Sequence, residues 1–217
     1  MHAIAQVGTL EELKLYLDYF RDDATLHRVN LHGESVLHYA AAGAHVDVVE
    51  FLIGRGLDVN AVSNNGWTPL VCALMSIGRR RVSTSVDIAN VLLRNGACVD
   101  TVTAENWTPM HALASWWPNP SDDESGVLPL ARELVSRGAI LEAYPNVLRG
   151  KGVTGRYTVL GYTVCGKWGV KMQRFAHSES QRVKEEVREE DTAPHMWADR
   201  NKRVDVFQAI LDHWASD

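Results

Sequence analysis

Apolar positions along this chain recur at helical spacing, and they recur in repeated blocks. Residues 35–60 read SVLHYAAAGAHVDVVEFLIGRGLDVN, in which Val48, Val49, Leu52 and Ile53 share one face of a 3.6-residue helix. The same wording restarts at Thr68 with TPLVCAL and finishes over 86–100 with VDIANVLLRNGACVD. It restarts again at Thr108 with TPMHALA and finishes over 130–142 with LARELVSRGAILE. Ser35 and Thr68 open 33 positions apart. A period of this size marks short helical units stacked in series.

Each repeated word has a local physical reason. Thr68 and Thr108 are expected N-caps, whose hydroxyls accept the orphan amide hydrogens at a helix start. Pro69 and Pro109 then occupy the first helical position, where a missing N–H costs nothing and φ is already set. Gly56, Gly96 and Gly138 follow the second helix of each unit, where a left-handed residue is wanted. A single unit cannot bury its own apolar face, so neighbouring copies must stabilise one another.

These residues resemble the ankyrin repeat. The resemblance is carried by Thr-Pro-Leu/Met at 68–70 and 108–110, Leu37-His38-Tyr39-Ala40-Ala41, and the Gly-Ala closures at 96–97 and 138–139. It implies an all-α, ankyrin-like helix–turn–helix solenoid of four to five repeats, decorated in its C-terminal half. Residues 1–144 are expected to hold the clear repeats. The first is truncated, with His2-Ala3-Ile4-Ala5 and Gly8–Leu15 as its remnant. Residues 145–217 are expected to hold a degenerate fifth repeat, opening at Thr158 and resuming at Val204–Leu211. The resemblance also implies that His38 and His111, with His2 in the same slot, tie adjacent turns together and do not catalyse.

The repeats are interrupted in an orderly way. Seven and nine extra residues enter the third and fourth copies, near 77–84 and 117–126. The first insertion is basic, with Arg79-Arg80-Arg81, and the second acidic, with Asp122-Asp123-Glu124. The fifth copy carries an excess of about 35 residues, roughly 169–203, in which Ser178-Glu179-Ser180-Gln181 fits a capping box before a mixed-charge helical stretch. A solvated helix, a lid across the groove and disorder are all open for this insert.

Composition narrows the field of functions. The formal charge is −5 with both signs interspersed, which leaves no basic face for a nucleic-acid backbone. Cys72, Cys98 and Cys165 lack CxxC spacing and cannot all pair within the chain, as expected in a reducing compartment. The start has neither signal-peptide nor transit-peptide character, and no apolar run approaches a membrane span. A cytoplasmic location is the expectation, with the nucleus left open.

Chemistry-bearing motifs are weak. Gly150–Gly155 formally satisfies GxGxxG but sits between helical repeats, outside the strand–turn–helix a dinucleotide needs, and reads as a glycine-rich connection. Asn106-Trp107-Thr108 matches a glycosylation sequon by accident of a cap residue. No zinc, nucleophile-elbow or phosphate-loop motif is present, so neither a metal nor a cofactor is expected, and enzymatic activity is left open.

Aromatic residues supply the stronger signal. Trp67 and Trp107 immediately precede their Thr-Pro pairs, Tyr157 precedes Thr158, and Glu34 takes that slot in the second repeat. The resemblance implies that this slot lines the concave face, as do the positions of Trp116 and Met75. Glu105 lies close by in sequence. The leading reading is recognition of a protein or peptide through this aromatic groove, since aromatics dominate binding hot spots. The alternative is a small-molecule enzyme or binder, for a hydrophobic or aromatic ligand, with a pocket in repeats three to five closed by the 169–203 insert. Glu34, Glu105, Cys165, His177 and His195 are the polar candidates if catalysis occurs.

Overall fold

The computed structural model describes residues 1–20, 23–77, 81–115 and 126–140. Helices run α1 (His2–Val7), α2 (Leu10–Phe20), α3 (Val36–Gly43), α4 (Val46–Gly54), α5 (Pro69–Ser76), α6 (Val82–Arg94), α7 (Pro109–Ser115) and α8 (Val127–Ser136). A short 3₁₀ turn at Asp23–His27 follows α2. No β-strand occurs among the described residues.

The helices pair as α1–α2, α3–α4, α5–α6 and α7–α8, and the pairs stack into two layers. In the inner layer α3 packs between α1 and α5, and α5 against α7. In the outer layer α2 packs on α4, α4 on α6 and α6 on α8. The core runs between the layers through Leu13, Leu37, Leu52, Leu74, Leu92 and Leu134, all buried. The inner helices meet neighbours on several sides, which is why α3 buries six of its eight residues. Ala40, Ala41, Ala73 and Ala112 are buried here; small side chains let helices approach closely. The outer helices keep a side in solvent. In α4, Val48, Val49 and Leu52 are inside while Asp47 and Glu50 face solvent.

The caps form as the sequence leads one to expect. Thr68 Oγ1 accepts from Val71 N at 3.3 Å, and Thr108 Oγ1 from His111 N at 3.3 Å. Gly56, Gly96 and Gly138 have φ of 82°, 85° and 86° after α4, α6 and α8. The basic stretch between α5 and α6 is partly absorbed by helix. Val82–Thr84 form the first turn of α6, which runs 13 residues against nine for α4. Val82 itself is buried, so part of this insertion lengthens the outer helix. The stretch at 117–125 and everything after 140, including the fifth repeat and the 169–203 insert, lie outside the described residues.

Side chains also bind the repeats across their joints. Asn60 donates from Nδ2 to Gly96 O at 2.9 Å and accepts Cys98 N at 2.8 Å through Oδ1. His45 Nε2 lies 3.1 Å from Gln6 O.

Candidate functional site

A turn precedes each of the inner helices α3, α5 and α7, and the three turns share one geometry. Backbone bonds Asn30 N→Glu34 O, Ser63 N→Trp67 O and Thr103 N→Trp107 O measure 3.0, 2.9 and 2.8 Å. A side-chain oxygen reinforces each: Asn30 Oδ1, Ser63 Oγ and Thr103 Oγ1 accept from the amides of Glu34, Trp67 and Trp107, all at 3.0 Å. One polar side chain therefore holds each slot residue in place. Successive tips are then joined, Asn64 N to His32 O at 2.9 Å and Ala104 N to Asn65 O at 2.9 Å.

Gly66 and Asn106 occupy matching places in this turn, with φ of 77° and 61°. A Cβ at Gly66 would stand 2.9 Å from the Thr103 Cα, so the close approach of the next tip adds to the backbone requirement. Asn106 tolerates the left-handed region better than most residues.

Histidine fastens the slot to the inner helix behind it. His38 Nδ1 lies 3.1 Å from Ser35 N and must accept that hydrogen, leaving Nε2 to donate to Trp67 O at 2.9 Å. His2 Nε2 makes the corresponding contact with Glu34 O at 3.1 Å. His111 Nδ1 lies 2.8 Å from Thr108 Oγ1, repeating the first half of the pattern. These histidines are structural ties. Burial holds the His38 imidazole below its ordinary pKa, against the opposing effects of the Trp67 carbonyl bond and the Glu34 charge.

Of the residues expected to line the groove, Glu34 has the most developed surroundings. Asn30 Nδ2 donates to Glu34 Oε2 at 2.8 Å and lies 3.0 Å from Tyr39 Oη. His2 and Tyr39 meet edge to face, ring centroids 5.1 Å apart. Partial burial pushes the Glu34 pKa up, but bonding from Asn30 and Tyr39 and the fields of His38 and His32 outweigh it, leaving the carboxyl below its usual value. Cys72 lies close enough to feel this charge. Burial first, then Glu34, pushes its thiol up to about 12, so it stays protonated and un-nucleophilic at neutral pH.

Trp67, Met75 and Trp107 are partly buried and pack against the core edge, and Trp107 meets the His111 ring edge to face at 6.0 Å. Their inner portions are therefore anchored while the rest reaches the surface. Glu105 sits at the tip of the last described turn, with Oε2 buried and no hydrogen-bond partner among the described residues. Trp116, Tyr157, Cys165, His177 and His195 lie outside the described residues, as does any pocket closed by the insert. Among the described residues, no group of three His, Cys, Asp or Glu side chains is placed to hold a metal. No described helix is long and apolar enough to cross a membrane.

The turns present one feature that inspection of the aromatic slots missed. Val29, Val62 and Val102 each stand five positions before Glu34, Trp67 and Trp107, and they are 56%, 60% and 42% exposed. Leu31, at the second repeat's tip, is 96% exposed. The signal was available as a valine at constant offset. A valine beside a buried turn, however, reads as core until its exposure is known.

Comparison with known proteins agrees with this architecture. A family model for ankyrin repeats, in three copies, matches residues 1–101. The mouse RelA-associated inhibitor is 48% identical over 44 residues, which is 20% of this chain and 5% of that protein. Human 26S proteasome non-ATPase regulatory subunit 10 is 36% identical over 66 residues, covering 30% of this chain and 28% of the relative. The mouse form of that subunit is 35% identical over the same length. The chain thus matches less than a third of each relative's own length.

Proposed function

We propose that this chain, an ankyrin-repeat protein, binds a protein or peptide partner along the turn tips and inner-helix face of repeats two to four. The observation that carries the reading is the row of exposed Val29, Val62 and Val102 in one register, with Leu31 at a tip. Isolated exposed apolar residues need no explanation, but apolar side chains in a fixed register on a rigid scaffold mark an interaction surface. The half-buried Trp67 and Trp107, with Met75, extend this surface toward the groove as an aromatic lining. Anchored aromatics offer contact area at small entropic cost, which is how hot spots work.

The relatives support the coarse part of the reading through their names, one associated with RelA and the other a subunit of the 26S proteasome. A cytoplasmic setting fits such a role and is proposed with it. The test is quantitative affinity selection from cell extract with the full chain and a Val62→Glu/Val102→Glu variant. Both side chains point into solvent, so stability should change little. Partners held by the parent chain and lost by the variant support the interface. An unchanged set of partners, each re-measured with purified protein, would overturn it.

A further inference from the structure

The Glu34 carboxylate is held in place but not neutralised. Its direct partner by distance, Asn30, is an amide, and Tyr39 beside it is a phenol. Among the described residues only two imidazoles, His38 and His32, add to its field when protonated, and no lysine or arginine pairs with it. His38 is buried and its Nδ1 accepts the Ser35 amide, which keeps it neutral. A partly buried carboxylate fixed by neutral donors carries a charge that no described lysine or arginine pairs with.

The distribution of basic residues sharpens the point. Between Gly56 and Ile77, and between Asn95 and Ser115, the chain has no lysine or arginine. These stretches form the turns and inner helices of repeats three and four. The basic side chains instead accompany the outer layer: Lys14 in α2, Arg55 after α4, Arg81 and Arg94 bounding α6, and Arg132 in α8. Arg28 is the exception, ahead of the second turn and exposed. Among the described residues, Arg28 apart, the face that carries Glu34 thus lacks a lysine or arginine of its own, while the opposite layer has several.

Aromatic rings complete the site. Tyr39 stands beside the carboxylate, and Trp67 takes the equivalent slot one repeat on, tied back through its carbonyl to His38. A carboxylate beside a phenol, with an indole in the neighbouring slot, suits a planar, weakly hydrated cation, which can combine ionic hydrogen bonds with ring contact. An ammonium ion would use the charge but little of the aromatic surface.

We infer that Glu34 is the docking point for an arginine side chain of the protein partner, with its guanidinium on the carboxylate and its flat face toward Tyr39 and the Trp67 side of the groove. This rests on the protein-binding reading and specifies the chemistry of one contact within it. The partner's recognised segment then combines apolar side chains for the valine row with an arginine at the second repeat.

The test uses the full chain with N-acetyl-arginine amide and its neutral isostere N-acetyl-citrulline amide, followed by NMR of the tryptophan indole and tyrosine ring signals. Arginine amide should shift the Trp67 and Tyr39 signals saturably, and citrulline amide should not. Glu34→Gln keeps an oxygen for Asn30, so its unfolding midpoint should stay close to the parent's while the arginine response disappears. Equal responses to the two amides, no saturable response, or a response that survives Glu34→Gln each overturn the site. With a purified partner, Glu34→Gln should weaken binding about tenfold or more, the usual scale for losing one charge-assisted bond. A partner that needs the valine row yet ignores Glu34→Gln would refute the arginine site and leave the interface intact. Arginine bound at Glu34 with no partner needing the valines would do the reverse.

Discussion

Replacing His38 by valine separates the structural role of this histidine from any other, because the chain already carries valine in that slot at Val71. His38 is buried, accepts Ser35 N at 3.1 Å and donates to Trp67 O at 2.9 Å. Trp67 O keeps a second bond, from Ser63 N at 2.9 Å, so it is not orphaned by the change. The Ser35 amide loses its side-chain acceptor in a buried position, which costs roughly 1–3 kcal/mol, and the lost Trp67 link adds about 0.5–1.5 kcal/mol. His38→Val should therefore lower stability by about 2–4 kcal/mol at pH 7.5, measured by urea unfolding. A pH dependence goes with it. Burial depresses the imidazole pKa in the folded state, so the unfolded chain binds the proton first as pH falls. The stabilisation is complete above the unfolded value, about 6.5, and is lost below it at up to roughly 1.4 kcal/mol per pH unit until the folded group titrates. Protonation at Nδ1 would also end its acceptance from Ser35. The difference between parent and variant stability should shrink between pH 7 and 5. A cost below about 1 kcal/mol, or a difference independent of pH, would refute the assignment of His38 as a neutral tie.

The turn geometry gives further expectations. Gly66→Ala should destabilise by well over the roughly 1 kcal/mol of a left-handed alanine, since its Cβ also meets the Thr103 backbone; an unchanged unfolding midpoint would disprove the close approach. Asn106→Gly should leave stability equal or slightly raised, whereas Asn106→Ala should cost about 1 kcal/mol, both read by thermal unfolding. Thr108→Ala removes the cap on α7 and should cost roughly 0.5–2 kcal/mol by the same measurement. Trp107→Ala should weaken partner binding by about 2 kcal/mol or more if Trp107 is a hot-spot anchor, with circular dichroism unchanged.

How far the sequence could be read depended on whether a residue's role was local or belonged to the stack. Thr68, Pro69 and Gly96 act within a few residues of themselves, so the helix starts and stops were legible from spacing alone. The role of His38 was legible only through the family resemblance, because its second partner, Trp67 O, lies 29 positions away. The Asn30–Glu34–Tyr39 network was not legible. Asn30 looks like an ordinary turn residue, and only the folded backbone reveals that its amide faces a carboxylate and a phenol together. The valine row was hidden for the opposite reason. Apolar residues next to a turn suggest burial, yet the tip-to-tip bonds at Asn64 and Ala104 occupy the backbone and leave Val62 and Val102 in solvent. Even the basic insertion read differently once folded, since a helix that can bury Val82 and Val86 draws its first turn from whatever residues precede it. The binding surface proposed here therefore consists mainly of positions whose chemistry is ordinary and whose register is not. Register is the property that stacked repeats impose on residues far apart in the chain.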